Sequence, residues 1–397
     1  MDIKPYRGYQ VSPEGKLDSI ATTVSVVVVN YNAGVLLSET VKAALASTIP
    51  VEVYVIDNGS SDKSIATLQD FVGSDSRLHI IETGRNLGFA KAANIALRGA
   101  TTEYCLVLNP DCLLQPDTLE KMINVVMADP EVGMAGCLIR NPDGSEQAGG
   151  RRSTPTPWRS FVRILNLDKW MPFTPRWRTF LHNLDPVPDK PISVEAISGA
   201  FMFVSRKSLT QVGLLDEDYF MHCEDLDWCM RFWKAGWKVV FVPNAEAMHY
   251  KGTCSKSRPV FVEWHKHRGM VRFYRKHFRY QYPWPLMLVV FVGVWTRFFV
   301  LAGRILITRI VPRQTPNSDS ASLSLRTVSH TMAAKNDSFQ HVGASEAKPF
   351  QWIGRSVMVT GGTGFIGRYL VKTLVAAGAQ VTVLARPHEG SVGIGER

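Results

Sequence analysis

Cysteine is scarce, charge is thin, and no secretory apolar segment opens the chain. The six cysteines, at 105, 112, 137, 223, 229 and 254, include no C-x-x-C pair. That excludes a disulfide-built scaffold, offers no zinc ribbon or thioredoxin-type site, and predicts reduced thiols in a cytoplasmic setting. The N-terminal run MDIKPYRGYQVSPEGK has no apolar h-region, which argues against a cleaved secretory signal. Charged residues make up 20% of the chain against 45% hydrophobic, ordinary globular composition that excludes overall disorder. No internal repeat is evident, and 397 residues leave room for two or three domains.

What charge there is lies in one place. Residues 251–313 hold 13 Lys and Arg against a single acid, Glu263, while the whole chain carries a net +10, so the remainder is close to neutral. A basic stretch calls for an anionic surface, either nucleic acid or lipid headgroups. The apolar run at 286–311, LMLVVFVGVWTRFFVLAGRILITRIV, favours lipid over nucleic acid. Arg297 and Arg304 interrupt it seven residues apart, near one helix face. An arginine at the centre of a spanning helix costs roughly 2.5–3.5 kcal/mol. A helix lying in the interface, flanked by Trp284 and Trp295, is therefore expected, with the protein peripheral on the inner face of the cell membrane.

From Val24 onward, strand and helix patterns alternate. Strands are read at 24–29, 51–56, 78–82 and 104–108, with helices at 34–47, 62–72 (capped by Ser60 or Ser61) and 89–98 between them. Asp117 to Glu120 opens the next helix like a capping box. Such alternation predicts an α/β fold with a parallel sheet covered on both faces. Residues 141–192, rich in Pro, Arg and Trp, read as irregular. Order resumes with a strand pair at 194–205, a helix at 224–235 ended by Gly236, and a strand at 239–242. The expected organisation is a polar leader at 1–22, an α/β domain at 23–255, a basic membrane-associating helical region at 256–312, a linker at 313–352 and a last fragment at 353–397.

Polar clusters stand just beyond three strand ends: Asn30-Tyr31-Asn32, Asp57-Asn58-Gly59-Ser60-Ser61-Asp62 and Asn109-Pro110-Asp111. Each alone would read as a turn. Ligands of open α/β sheets bind outside the carboxyl ends of the strands, so three clusters in that position describe one crevice. Asp111 offers a hard oxygen for Mg²⁺ or Mn²⁺ bridging to phosphates, and Asp57 suits a base or ribose edge. Gly88 turns into a helix start beside Lys91, a place that favours phosphate. Glu224, Asp225 and Asp227 crowd another helix start, where the dipole favours ionised carboxylates able to take a proton from a hydroxyl. Gly199, followed by Ala200, permits close backbone approach to a sugar or acceptor. His249, alone, reads as structural more readily than as a metal ligand.

Together VVVVNYN, VIDNGSSD, GRNLGFAKAAN, LNPD, SGAFMFVSR and ED-x-D-x-x-x-R resemble the family 2 glycosyltransferases of the GT-A fold, nearest to their bacterial rhamnosyltransferase-like branch. The resemblance covers roughly residues 24–255. It implies inverting transfer of a sugar, rhamnose by analogy with that branch, from a nucleotide diphosphate donor to a hydroxyl of a lipid-linked or growing cell-surface glycan. It also implies Asp57 as the nucleoside-binding aspartate and Asp111 as the metal-binding aspartate of a DxD motif whose first acid is here Asn109. Asp225 takes the place of the general base with Glu224 beside it, and His249 that of the histidine completing the metal site. Near the C-terminus, Gly361, Gly364 and Gly367 in VTGGTGFIG resemble the start of an NAD(P)-dependent sugar-nucleotide epimerase or dehydratase. No YxxxK pair accompanies them, and one βαβ unit cannot make the whole sheet, so the fragment reads as truncated. A bifunctional or regulatory protein that binds a dinucleotide there is the alternative function.

Overall fold

The run VSVVVVN forms β1 (Val24–Asn30), with every residue buried. β-Branched side chains suit the pleated strand, and burial on both faces marks a central position. A two-residue period holds even within this uniform run. Val27 and Val29 join the core on one face of the sheet, Val26 and Val28 the core on the other. The computed structural model describes residues 22–164, 185–250, 258–310, 356–360, 374–375, 377 and 380–384.

After β1 come α1 (Val35–Leu45), β2 (Val51–Asp57), α2 (Ser64–Val72), β3 (Leu78–Glu82), α3 (Phe89–Gly99) and β4 (Tyr104–Leu108). Helical crossovers make these four strands parallel, in the order β3-β2-β1-β4. Next are β5 (Cys112–Leu114), α4 (Thr118–Ala128), β6 (Val132–Arg140), β7 (Arg151–Arg152), α5 (Pro157–Ile164), β8 (Ile192–Ser193) and β9 (Ala196–Ile197). They are followed by β10 (Phe201–Ser205), α6 (Arg206–Val212), α7 (Glu224–Lys234) and β11 (Lys238–His249).

The second half departs from the expected parallel sheet. β10 runs antiparallel to both β4 and β6, and β5 runs antiparallel to β11, so the nine-stranded sheet is mixed. β10 arrives after a long excursion rather than a single crossover helix, and strand composition does not encode direction. Two helix starts also differ from expectation. Asp62 Oδ1 accepts the Ser64 amide and hydroxyl at the head of α2, while Ser60 and Ser61 are engaged elsewhere. Asp117 makes no side-chain cap on α4 and pairs instead with Lys121 one turn on. Residues 141–192 are not wholly irregular, since β7, α5 and β8 lie there.

α8 (Pro259–Phe278) and α9 (Trp284–Ile310) complete the N-terminal unit, Met1–Pro312. On α9, Met287, Val290, Val294, Phe298 and Ala302 recur at helical spacing and are buried. Trp264 of α8 packs on Trp295 and Phe298. The opposite side of α9, with Leu288, Val292, Phe299 and Ile307, is apolar and exposed. Arg297 and Arg304 form a third, exposed stripe. By length and composition alone, Trp284–Ile307 could cross a membrane, with mean hydropathy 2.1.

In the unit Arg313–Arg397, β12 (Ser356–Thr360) and β13 (Gln380–Leu384) pair in parallel, as a strand-helix-strand start requires. The glycines at 361, 364 and 367, the leader to residue 21 and the linker at 313–352 lie outside the described residues.

Candidate active site

β1 and β2 end in register, with Asn30 opposite Asp57. Asn30 is fully buried, and its Nδ2 lies 2.8 Å from Asp57 Oδ1, 3.0 Å from Ser60 Oγ and 2.8 Å from Ser64 Oγ. The Ser60 amide donates to the other Asp57 oxygen at 3.2 Å. Asp57 is therefore held from both sides at the carboxyl edge of the sheet. Asn32, at φ 55, accepts the Ser61 and Asp62 amides at 2.7 and 3.2 Å, and Asp62 accepts the Gly34 amide at 2.9 Å. Both asparagines thus clamp the two loops together. Asn30 spends its Nδ2 on these protein partners, whereas Asn32 uses its Oδ1.

Asn58 plays the same part for the next loop. Its Oδ1 accepts the Leu87 amide at 2.8 Å and its Nδ2 donates to Asn86 at 3.0 Å. Gly59, at φ 76, lies so close to Arg85 that an added Cβ would meet backbone at 2.7 Å. Gly88 is buried, an added Cβ would meet the Phe220 carbonyl at 2.7 Å, and the first amide of α3, Phe89, donates to that same carbonyl at 2.8 Å. The first amide of α3 is thus taken by protein. Lys91 lies one turn on and is exposed.

The strand read at 239–242 continues, through a register shift, to His249. Its antiparallel pairing with β5 sets His249 opposite Cys112. His249 Nε2 consequently lies 3.0 Å from Asp111 Oδ1 and 3.3 Å from Asn109 Nδ2. Gln147 fixes the imidazole from behind, with Oε1 2.6 Å from His249 Nδ1. The orientation of Gln147 is set by its Nε2, which donates to the His249 carbonyl at 3.2 Å and to Asn141 Oδ1 at 2.9 Å. Nδ1 must then carry the hydrogen, and the Nε2 lone pair faces the Asp111 carboxylate. Two acceptors at that distance need a cation between them, a proton or a metal ion. Asp111 and His249 are both nearly fully buried. Among the described residues no group of three or more His, Cys, Asp or Glu converges on one point. The pair fits a divalent ion that takes its other ligands from phosphate and water. Gln147 was not singled out in the sequence, where a lone glutamine in a Gly-rich loop gives no signal.

The three acids at the start of α7 separate. Asp225 Oδ2 accepts the Gly199 amide at 3.1 Å and is ion-paired with Arg152 of β7, another residue sequence reasoning missed. Gly199 is thus a partner of the carboxylate. A Cβ there would lie 3.2 Å from Asp225 Cβ, so the missing side chain at Gly199 makes room for this acid. Glu224 is buried, with Oε2 unpartnered. Burial, and then the neighbouring charge of Asp225, push its carboxyl up to about 8. Asp227 is fully buried. Burial alone would raise its carboxyl, but His277 and Lys276 hold it well below the usual range. Its partners are Arg231 at 2.8 Å, Lys276 at 2.7 Å and His277 at 2.8 Å. One short turn links the two halves of the site. The Asn109 amide donates to Ala200 O at 3.0 Å, beside the Gly199 amide that serves Asp225.

A mixed α/β sheet with Asp57, Asp111 and His249 at its carboxyl edge and an ordered carboxylate across a glycine turn describes a sugar-nucleotide transferase. The glycosyl transferase family 2 model matches residues 25–213, and the NAD dependent epimerase/dehydratase family model matches residues 357–392. An N-acetylglucosaminyl-diphospho-decaprenol L-rhamnosyltransferase of Mycobacterium tuberculosis is 34% identical, over 57% of this chain and 75% of its own length. Rhamnosyltransferase WbbL of Escherichia coli is 28% identical, over 50% and 72% respectively. The dTDP-rhamnosyl transferase RfbF of Shigella flexneri is 25% identical, over 56% and 67%. The chain belongs to glycosyl transferase family 2 and is a glycosyltransferase.

Proposed function

We propose that this glycosyltransferase moves a 6-deoxyhexose, rhamnose in the first instance, from a nucleoside diphosphate donor to a hydroxyl of a prenyl-diphosphate-linked glycan, with inversion. The contact between Asp111 and His249, with Nδ1 locked by Gln147, carries the reading. Asp57 would receive the nucleoside, its carboxylate already oriented by Asn30 and the Ser60 amide. Asp111 Oδ1 and His249 Nε2 would hold Mg²⁺ or Mn²⁺, which when bound supplies positive charge to the departing diphosphate. Across the 198–200 turn, Asp225 would take the proton of the acceptor hydroxyl as its oxygen bonds to the anomeric carbon and the bond to the diphosphate breaks. Gly199 and Arg152 orient that carboxylate. The names of the rhamnosyltransferase relatives, one with a decaprenol-linked substrate and one with a dTDP-linked donor, support the choice of sugar, acceptor and thymidine base. The exposed apolar face of α9 and the adjoining basic helix support action at the inner membrane surface.

The test is transfer from dTDP-, UDP- and GDP-sugars to a prenyl-diphospho-N-acetylglucosamine, with Mn²⁺ or EDTA. Product from dTDP-rhamnose that disappears in EDTA is expected. Asp225→Asn should lower kcat at least about 100-fold. Asp111→Ala should raise KM for both the donor and Mn²⁺. Full activity of Asp225→Asn would remove the base assignment, and full activity in EDTA would remove the metal.

A further inference from the structure

We infer that a cationic cavity between α8 and residues 218–220 receives the diphosphate of a lipid-linked acceptor. This rests on the transferase reading above and adds a subsite outside the donor edge. The cavity has a volume of about 750 Å³, and none of its lining belongs to the Asp57 or Asp111 loops. One face of α8 supplies Arg268, Arg272, Arg275 and Lys276 at helical spacing, against Asp218 and Phe220 across the hollow. Arg272 and Lys276 are committed: Arg272 pairs with Asp216 and Asp218, and Lys276 with Asp216 and Asp227. Those ion pairs build the wall. Arg268 and Arg275 are exposed and make no ion pair among the described residues. Two guanidinium groups with free donors around a hollow of this size suit phosphoryl oxygens, which they can bind bidentately.

The surroundings choose the acceptor over the donor. Phe220 lines the cavity, and the chain runs from it through His222 and Cys223, both at positive φ, directly into Glu224 and Asp225. Gly269 of α8 lies against the His222 carbonyl, where an added Cβ would stand at 2.9 Å, so the cavity wall is packed on the turn that leads to the base. One turn before Arg268 on the same stripe of α8, Trp264 packs on Trp295 and Phe298 of α9, whose outer face is apolar and exposed. A reacting sugar, a diphosphate and a prenyl chain follow one another in the acceptor as the Asp225 turn, the arginine hollow and the apolar helix do in the protein.

The full chain is titrated with farnesyl diphosphate in EDTA, with farnesol as the uncharged control. Saturable binding of farnesyl diphosphate is expected. The double substitution Arg268→Gln and Arg275→Gln should weaken it roughly tenfold or more, with farnesol binding and Tm unchanged. Equal binding by both proteins overturns the inference. So does loss of binding in Asp111→Ala, which would put the diphosphate at the donor edge. Flotation with phosphatidylglycerol vesicles separates the other source of phosphate. If the double variant stops floating yet still binds farnesyl diphosphate, the arginines read the bilayer and the acceptor assignment falls. Once turnover is measured, the double variant should raise KM for the prenyl-diphosphate acceptor and leave KM for the donor alone. Failure of the transferase reading would show separately, as no transfer by the unsubstituted chain whatever the farnesyl diphosphate titration gives.

Discussion

Glu224 and Asp225 are chain neighbours in opposite circumstances. Asp225 has an arginine and a backbone amide, whereas Glu224 has a buried oxygen with no partner. Between its ordinary 4.5 and about 8, the folded protein keeps a proton on Glu224 that the unfolded chain releases. Stability is therefore fully present below that interval and falls as pH rises through it. Glu224→Gln, which keeps the shape and removes the titration, should leave stability near pH 4.5 little changed. Near pH 9 it should raise stability by on the order of a few kcal/mol. Urea unfolding at the two pH values reads this, and parallel profiles for parent and variant would sink it. Residue identity in the sequence points to Asp57, Asp111 and the acids at 224–227, because acids just past strand ends or at a helix start are chemically conspicuous, whereas Asp225 and His249 stand out only through the family resemblance. Gln147 and Arg152 were not legible. Their importance comes from contacts made across 102 and 73 residues, which no local pattern records.

Among elements, α7 and α8 are held together by a charge that never meets solvent. Asp227 binds Arg231 within its own helix and Lys276 and His277 from α8. Its spacing in sequence suggested a third member of an acidic site, and its burial makes it the tie between two helices. Asp227→Asn would take the counter-charge from Arg231 and Lys276 and leave the buried His277 facing a neutral amide. It should cost about 3–5 kcal/mol of stability, read by denaturant unfolding. A variant as stable as the parent would show that the cluster contributes little. The limits of sequence reading at this scale have the same origin. β1 to β4 were legible because valine-rich runs alternate with amphipathic helices. The direction of β10, the pairing of three-residue β5 and the full length of β11 depend on partners chosen only in the assembled sheet.

For the whole molecule, α9 divides the surface into unlike regions. One side is core, one is exposed and apolar, and one carries Arg297 and Arg304. V292E together with F299E places charge on the exposed apolar side without entering the core. It should abolish flotation with anionic vesicles while Tm stays within about 2 °C of the parent, since exposed substitutions of this kind cost little. Continued flotation would assign attachment to the basic residues alone. The turn at 198–200 has a consequence of another sort. The Ala200 carbonyl receives the Asn109 amide, and two peptide groups earlier the Gly199 amide donates to Asp225. On the proposed roles of Asp111 and Asp225, the leaving-group side and the attacking side would be tied together like the two arms of a calliper. A bulkier sugar would then not be admitted by spreading these jaws without misaligning both reacting partners. On that reading donor selectivity would be adjusted at the rim of the crevice, with the span across it held constant.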